Sequence, residues 1–192
     1  MGMEQEAVTR LKQGDIGGLE ALVGLHQVRA RQAAYLITQN YALAEDIVQT
    51  AFLRAYERIH QFDSDRSFQP WLLRSVINDA RMAVTRQRTV SLEIDGGDGV
   101  GQEDVGLLAS PEPELYEQFE AMQTREAIWA ALEKLSVEQR IAVVMHYYLD
   151  YSSAEISRSL NTPAGTIRRR LHDARQNLRR LLPGWIGRQA QE

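Results

Sequence analysis

The 192-residue sequence contains no cysteine. That excludes a disulfide framework, a thiolate nucleophile, a paired-thiol redox motif and any thiolate-ligated zinc. Lysine is nearly absent too: Lys12 and Lys134 stand against 20 arginines. No apolar run approaches the ~20 residues that a membrane helix needs, so no membrane insertion is expected. The opening stretch MGMEQEAVTRLKQGD lacks the apolar core of a secretory signal, which leads to the expectation of a cytoplasmic protein. Catalytic signatures are missing as well. There is no HExxH, no Walker loop, no GxGxxG and no GxSxG. His26, His60, His146 and His172 are scattered along the chain. Glu45 and Asp46 are neighbours on a helix and do not converge on one point. The expectation is a non-enzyme with no catalytic residues, no metal site, no cofactor and no small-molecule substrate.

What is present suits a globular protein of one or two domains: 44% of residues are apolar and 25% charged. The net charge of −4 is unevenly spread. Residues 1–88 carry 11 basic and 10 acidic groups, residues 89–118 none and 8, and residues 119–192 carry 11 and 8. The middle segment also holds Gly96, Gly97, Gly99, Gly101 and Gly106 with Pro111 and Pro113. Such a composition buries too little apolar surface to offset chain entropy. The flanks show the 3.6-residue periodicity of helices and little strand alternation. The expected architecture is all-α: two small helical domains, 5–88 and 119–183, joined by a flexible acidic linker, 89–118. A net acidic charge does not exclude a nucleic-acid partner, because local patches decide.

In the first domain, Ile47, Val48, Ala51, Phe52, Ala55, Tyr56 and Ile59 form one apolar stripe. The opposite face carries Asp46, Gln49, Thr50, Leu53 and Glu57. Leu53 is out of place on a plain solvent face, although a single exposed leucine is normal; the face is either solvated or a docking surface. A loop from Gln61 to Gln69 follows, with Phe62 and Phe68 among polar residues. Pro70 occupies a favoured first helical position, and the helix is expected to run to Arg88. Its core side is Leu72, Leu73, Val76, Ile77, Ala80, Ala83 and Val84. The other side is Arg74, Asn78, Arg81, Thr85 and Arg88, a stripe without an acid.

In the second domain, Ser136 with Gln139 and Ser152 with Glu155 have capping-box spacing. Asn161-Thr162-Pro163 breaks the chain, with Thr162 expected as N-cap and Pro163 as first helical residue. A long helix follows to Leu182, with the stripe Ile167, Leu171, Ala174, Leu178 and Leu181, and Pro183-Gly184 ends it. A short helix, a tight turn and a longer arginine-rich helix make a helix-turn-helix pattern, whose second helix enters the major groove. Its outward face offers Gly165, Thr166, Arg169 and His172, flanked by Arg168 and Arg170.

The stretch AEDIVQTAFLRAY, Ala44 to Tyr56, resembles the polymerase-binding segment of bacterial RNA polymerase sigma factors. The likeness is to the extracytoplasmic-function (ECF) class of the sigma-70 family, which keeps only regions 2 and 4. Gly14-Asp15 with Leu19 to Val23 fits that family's opening. Phe68-Gln69-Pro70-Trp71-Leu72-Leu73-Arg74 with Asn78 fits the helix after its promoter-reading loop. Tyr151 to Glu155 and Pro163 to His172 resemble region 4.

The resemblance implies that Asp46, Gln49, Thr50 and Leu53 dock on the bacterial core RNA polymerase. It implies that Phe62, Asp63, Arg66, Ser67 and Phe68 hold a base flipped out of the minus-ten element of promoter DNA. Arg74, Asn78, Arg81 and Arg88 would follow the adjacent strand and duplex. Gly165, Thr166, Arg168, Arg169, Arg170, His172 and Arg175 would read the minus-thirty-five element. It also implies an anti-sigma factor as a partner. The chain departs from the family pattern at Thr50, where glutamate is usual, at Arg169, commonly small, and at Asp173, often basic. A free-standing DNA-binding regulator and a degenerate adaptor are the rival readings. The regulator has no need of the Asp46/Gln49/Leu53 face; the adaptor has no need of Arg168 and Arg169.

Overall fold

The computed structural model describes residues 2–93 and 125–182, with 88–93 as backbone alone. Among the described residues every regular element is helical, as the periodicity predicts. The chain divides into two compact units, Met1–Glu93 and Ile94–Glu192. The first holds α1 (Met3–Lys12), α2 (Gly17–Thr38), α3 (Tyr41–Glu57), a 3₁₀ turn (Ile59–Gln61) and α4 (Phe68–Glu93). The second holds α5 over residues 125–133, α6 (Val137–Val143), a π-helical turn (Val144–Tyr148), α7 (Ser153–Leu160) and α8 (Ala164–Leu181). α4 continues past Arg88 to Glu93, so the first residues assigned to the linker are helical. The remainder of the linker and the Pro183-Gly184 stop lie outside the described residues.

In the first unit the α1–α2 corner is built from local chemistry. Gly14 takes φ +85°, a left-handed conformation that glycine adopts without steric cost. Asp15 accepts a hydrogen bond from the Gly17 N–H at 2.8 Å and pairs with Arg10 Nε at 2.7 Å. Both partners hold its carboxyl below the usual carboxylate range, Arg10 foremost. Gly18 lets the two helices touch: a Cβ there would stand 2.5 Å from the Ala7 carbonyl oxygen.

α2 packs against α1, α3 and α4 and is the centre of the unit. It buries Leu22, Ala30, Ala33, Ala34 and Ile37 against Ile47, Val48, Ala51 and Phe52 of α3 and Leu72, Leu73, Val76 and Ile77 of α4. Each buried Leu or Ile contributes about 1.5–3 kcal/mol, so packing holds these helices more than intrinsic propensity does. Tyr56, expected in the stripe, is 46% exposed because it falls at the stripe's edge. Pro70 is the third residue of α4, two positions later in the helix than the sequence predicts, where its missing N–H costs nothing.

In the second unit both capping boxes form as predicted. Ser136 accepts from the Gln139 N–H at 3.2 Å and Gln139 accepts from the Ser136 N–H at 3.2 Å. Ser152 and Glu155 do the same, and the hydrogen bonds from Ser152 lower the Glu155 carboxyl. The π turn after α6 has no counterpart in the sequence expectation; Tyr151 N–H donates to the Met145 carbonyl at 2.9 Å beyond it. Asn161 closes α7 with φ +48°. The expected cap of α8 shifts by one residue. Thr162 Oγ1 donates to the Leu160 carbonyl at 3.1 Å, and Pro163, with φ −52° and ψ 137°, is the N-cap. α8 packs on α6 and α7 through Ile167, Leu171 and Ala174. Its stripe ends sooner than predicted: Leu178 is half-buried and Leu181 is 44% exposed.

Candidate nucleic-acid interface

α8 presents its predicted face. Burial of Ile167, Leu171 and Ala174 turns Gly165, Thr166, Arg168, Arg169, His172 and Arg175 outward, all exposed, with Arg170 half-buried beside them. Pro163 gives the helix no side-chain cap, so the first-turn amides stay open to an anion. Gly165 stands in open space, and even a Cβ there would meet nothing within 4 Å. Asp173 lies 3.8 Å from Arg169 Nε on the same exposed face. His172 Nε2 is 2.9 Å from Gln176 Nε2. Arg175 Nε donates back to the Leu171 carbonyl at 3.3 Å.

The α3 face also forms as predicted. Asp46 and Gln49 are exposed, Thr50 is half-buried, and Leu53 is 61% exposed. Thr50 and Asp46 line a groove of about 300 Å³ whose far wall is Met82, Ala83 and Arg86 of α4. Arg54 pairs with Asp79 across the groove and joins the two helices. Met82 is 61% exposed there, an apolar side chain on the same surface as Leu53's helix that sequence reasoning did not single out.

The loop is where the structure corrects the sequence reading. Phe62 and Phe68 are 4% and 0% exposed. Their rings are 5.7 Å apart, and Trp71 lies 5.1 Å from Phe62 and 5.6 Å from Phe68. Phe62 and Phe68 are core, drawn inside because their apolar area gains more from burial than from contact with water, and Trp71 is half-buried beside them. They carry the loop from beneath and do not line its surface. Asp63, Arg66 and Ser67 are exposed. Asp63 organises the tip: Oδ1 accepts from the Asp65 N–H at 3.1 Å and Oδ2 pairs with Arg66 Nε at 3.1 Å.

Of the α4 stripe, Arg74 and Asn78 are exposed and Arg81 is half-buried, while the Arg88 side chain lies outside the described residues. Arg74 and Asn78 line a cavity of about 270 Å³ together with Arg54, Arg58 and Trp71. Arg58 and Trp71 were missed from sequence because α3 and α4 meet only in the fold. Lys12 and Glu4 of α1 were missed too. Both bond to the loop across more than half of the unit's length. The isolation of Lys12 among arginines was the one available signal.

Each of the two helical units gathers arginines on one face, the electrostatic footprint typical of a nucleic-acid-binding protein. Comparison with known families sharpens this. The pattern described as Sigma-70 region 2 matches residues 22–90, and that described as Sigma-70, region 4 matches residues 125–178. The ECF RNA polymerase sigma factor SigW of Bacillus subtilis (strain 168) is 28% identical over 183 residues, covering 94% of this chain and 97% of the relative. The ECF RNA polymerase sigma-E factor of Escherichia coli (strain K12) is 27% identical over 180 residues, covering 90% and 91%. In fold, the sigma factor RpoE from Bartonella quintana, solved with the anti-sigma factor NepR, is similar with a TM-score of 0.60. It is 23% identical and the match covers 85% of this chain and 95% of that one. The chain belongs to the sigma-70 family, in its extracytoplasmic-function class. It is a factor for promoter-specific transcription initiation with RNA polymerase.

Proposed function

We propose that this factor divides its work among three surfaces. The α3 face, Asp46, Gln49, Thr50 and Leu53, docks on core polymerase. The exposed loop groups Asp63, Arg66 and Ser67, with Arg74, Asn78 and Arg81, take the minus-ten strand. The outward face of α8 reads the minus-thirty-five duplex. A flipped base costs a few kcal/mol to unstack. The polar loop groups and the arginines of the adjoining cavity offset that cost, with the buried Phe62 and Phe68 as their rigid floor. Asn78 and Arg74 supply hydrogen bonds and charge beside them. On α8, Arg169 and His172 meet base edges, and Arg168, Arg170 and Arg175 position the helix on phosphates. Bond-making in RNA stays with the polymerase; this chain binds, positions and melts.

Arg74, Asn78, Arg54 and Arg58 around one cavity carry the nucleic-acid side of this reading. Leu53, 61% exposed on a polar face, supports the docking side. That exposed leucine also offers a natural target for an anti-sigma factor, which would act in the cytoplasm by covering the polymerase surface. The test is a titration of core polymerase with the full chain and with Leu53→Arg. Tight binding by the parent chain and its loss in Leu53→Arg, with an unchanged thermal unfolding profile, is the expected result. Equal binding by both removes α3 from the interface.

A further inference from the structure

The loop from Gln61 to Ser67 is attached to α1 at both of its ends. Near its start, Lys12 Nζ donates to the Phe62 carbonyl at 2.6 Å and to Ser64 Oγ at 2.8 Å. At its far end, Glu4 Oε1 accepts from the Ser67 hydroxyl at 3.1 Å and from the Phe68 N–H at 2.9 Å. The second bond also caps the first turn of α4, from a residue 64 positions away in sequence. The other Glu4 oxygen lies 2.8 Å from Nε2 of His26 on α2, a residue only 8% exposed. The His26 ring in turn sits 5.7 Å from the Phe68 ring. α1 is itself fixed, since Ala7, Val8 and Leu11 are buried and Gly18 lets α2 close on it.

The bonds within the loop have a different reach. Asp63 accepts from the Asp65 and Arg66 amides and pairs with Arg66, all within the tip. They shape the tip without tying it to the rest of the unit. An ammonium is a compact centre with three donors, suited to a carbonyl and a hydroxyl that lie close together. In a chain that otherwise uses arginine 20 times against two lysines, Lys12 is the residue type this contact needs.

We propose that Glu4 and Lys12 are positioning residues that fix the loop's register and thereby set its base selectivity in the minus-ten element. This rests on the reading of the loop as the base-holding element. With the clamp released, the competent loop conformation is one of several, and apparent affinity falls by its remaining fraction. α1 precedes the segment matched by the region 2 pattern, which starts at residue 22. Selectivity would thus depend on a helix outside that segment.

The test uses the full chain bound to core polymerase and a set of fluorescent single-stranded minus-ten oligonucleotides varied at each base. The variants are Glu4→Ala, Lys12→Met and, within the loop, Asp63→Ala. Glu4→Ala, which removes the oxygen that accepts from Ser67 and Phe68, and Lys12→Met are expected to bind the preferred strand about tenfold more weakly and to lose most of their preference between bases. Affinity for core polymerase is expected to stay within about twofold, the range of a surface substitution. Parent-like base preference in both α1 variants, with preference lost in Asp63→Ala, overturns the clamp and leaves the loop reading intact. Parent-like preference in all three overturns both. Should Glu4→Ala lose core binding through unfolding, Lys12→Met decides alone, because its aliphatic stem keeps the packing of the parent.

Discussion

The two elements proposed to meet DNA are supported in opposite ways. α8 is supported locally. Ile167, Leu171 and Ala174 go inside, and the same 3.6-residue period turns Arg168, Arg169 and His172 out. The loop of the first unit has no such period. Its shape depends on an aromatic floor of Phe62, Phe68 and Trp71 and on bonds to Lys12 and Glu4. The face that α8 turns outward therefore follows from its own period and its packing on α6 and α7, whereas the shape of the loop follows from side chains far from it in sequence.

The largest expected effect breaks the comparison at the floor. Phe68→Ala removes a fully buried ring from the first unit and is expected to cost about 3–5 kcal/mol of its stability. Urea unfolding followed by tryptophan fluorescence reports it through Trp71. Arg169→Ala, on the exposed face of α8, is expected to leave stability unchanged. Its own cost falls on binding, about 1–3 kcal/mol on minus-thirty-five duplex where it meets a base edge, with relaxed specificity at that position. Arg168→Ala, as a phosphate contact, is expected instead to weaken all sequences alike and to lower the salt slope by about one. Filter binding at several salt concentrations separates the two.

A smaller effect sharpens the local side of the comparison. Ser152→Ala removes the oxygen that accepts from the Glu155 N–H at 3.3 Å. It is expected to cost about 1 kcal/mol in the second unit, with the first unit's transition unmoved in calorimetry. The smallest effect concerns pH and the loop's support. Burial holds His26 below the ordinary histidine value, with Glu4 pulling the other way. A depressed histidine favours the neutral form in the folded state. Its contribution is present above about pH 6.5 and is lost as pH falls through the lowered folded value. The urea midpoint of the first unit is expected to drop on acidification through this range. His26→Gln should remove that part of the drop.

The sequence carried what is local. Helix existence, both capping boxes, the exposed α3 face and the α8 face follow from periodicity and short-range spacing, and the structure bears them out. Most of the features that differ from the sequence expectation depend on distant partners. Pro70 reads as the start of α4 until Glu4 is seen to cap Phe68. Phe62 and Phe68 read as a surface pair because polar residues surround them, and only Trp71 and His26 reveal them as core. Arg58 and Trp71 join Arg74 through a helix pairing that no window of sequence contains. Thr162 lost the cap to Pro163 for a local reason, since its hydroxyl turned back to the Leu160 carbonyl.

The most direct test of the central claim is run-off transcription by bacterial core polymerase on fragments of the source genome. The reactions contain no added chain, the parent chain, Arg169→Ala or Asp63→Ala. Discrete new transcripts with the parent chain are predicted. Their yield should become insensitive to the base met by Arg169 in the first variant and to the minus-ten base in the second. No new transcript with the parent chain, under conditions where it binds core polymerase, would contradict a role in promoter-specific initiation.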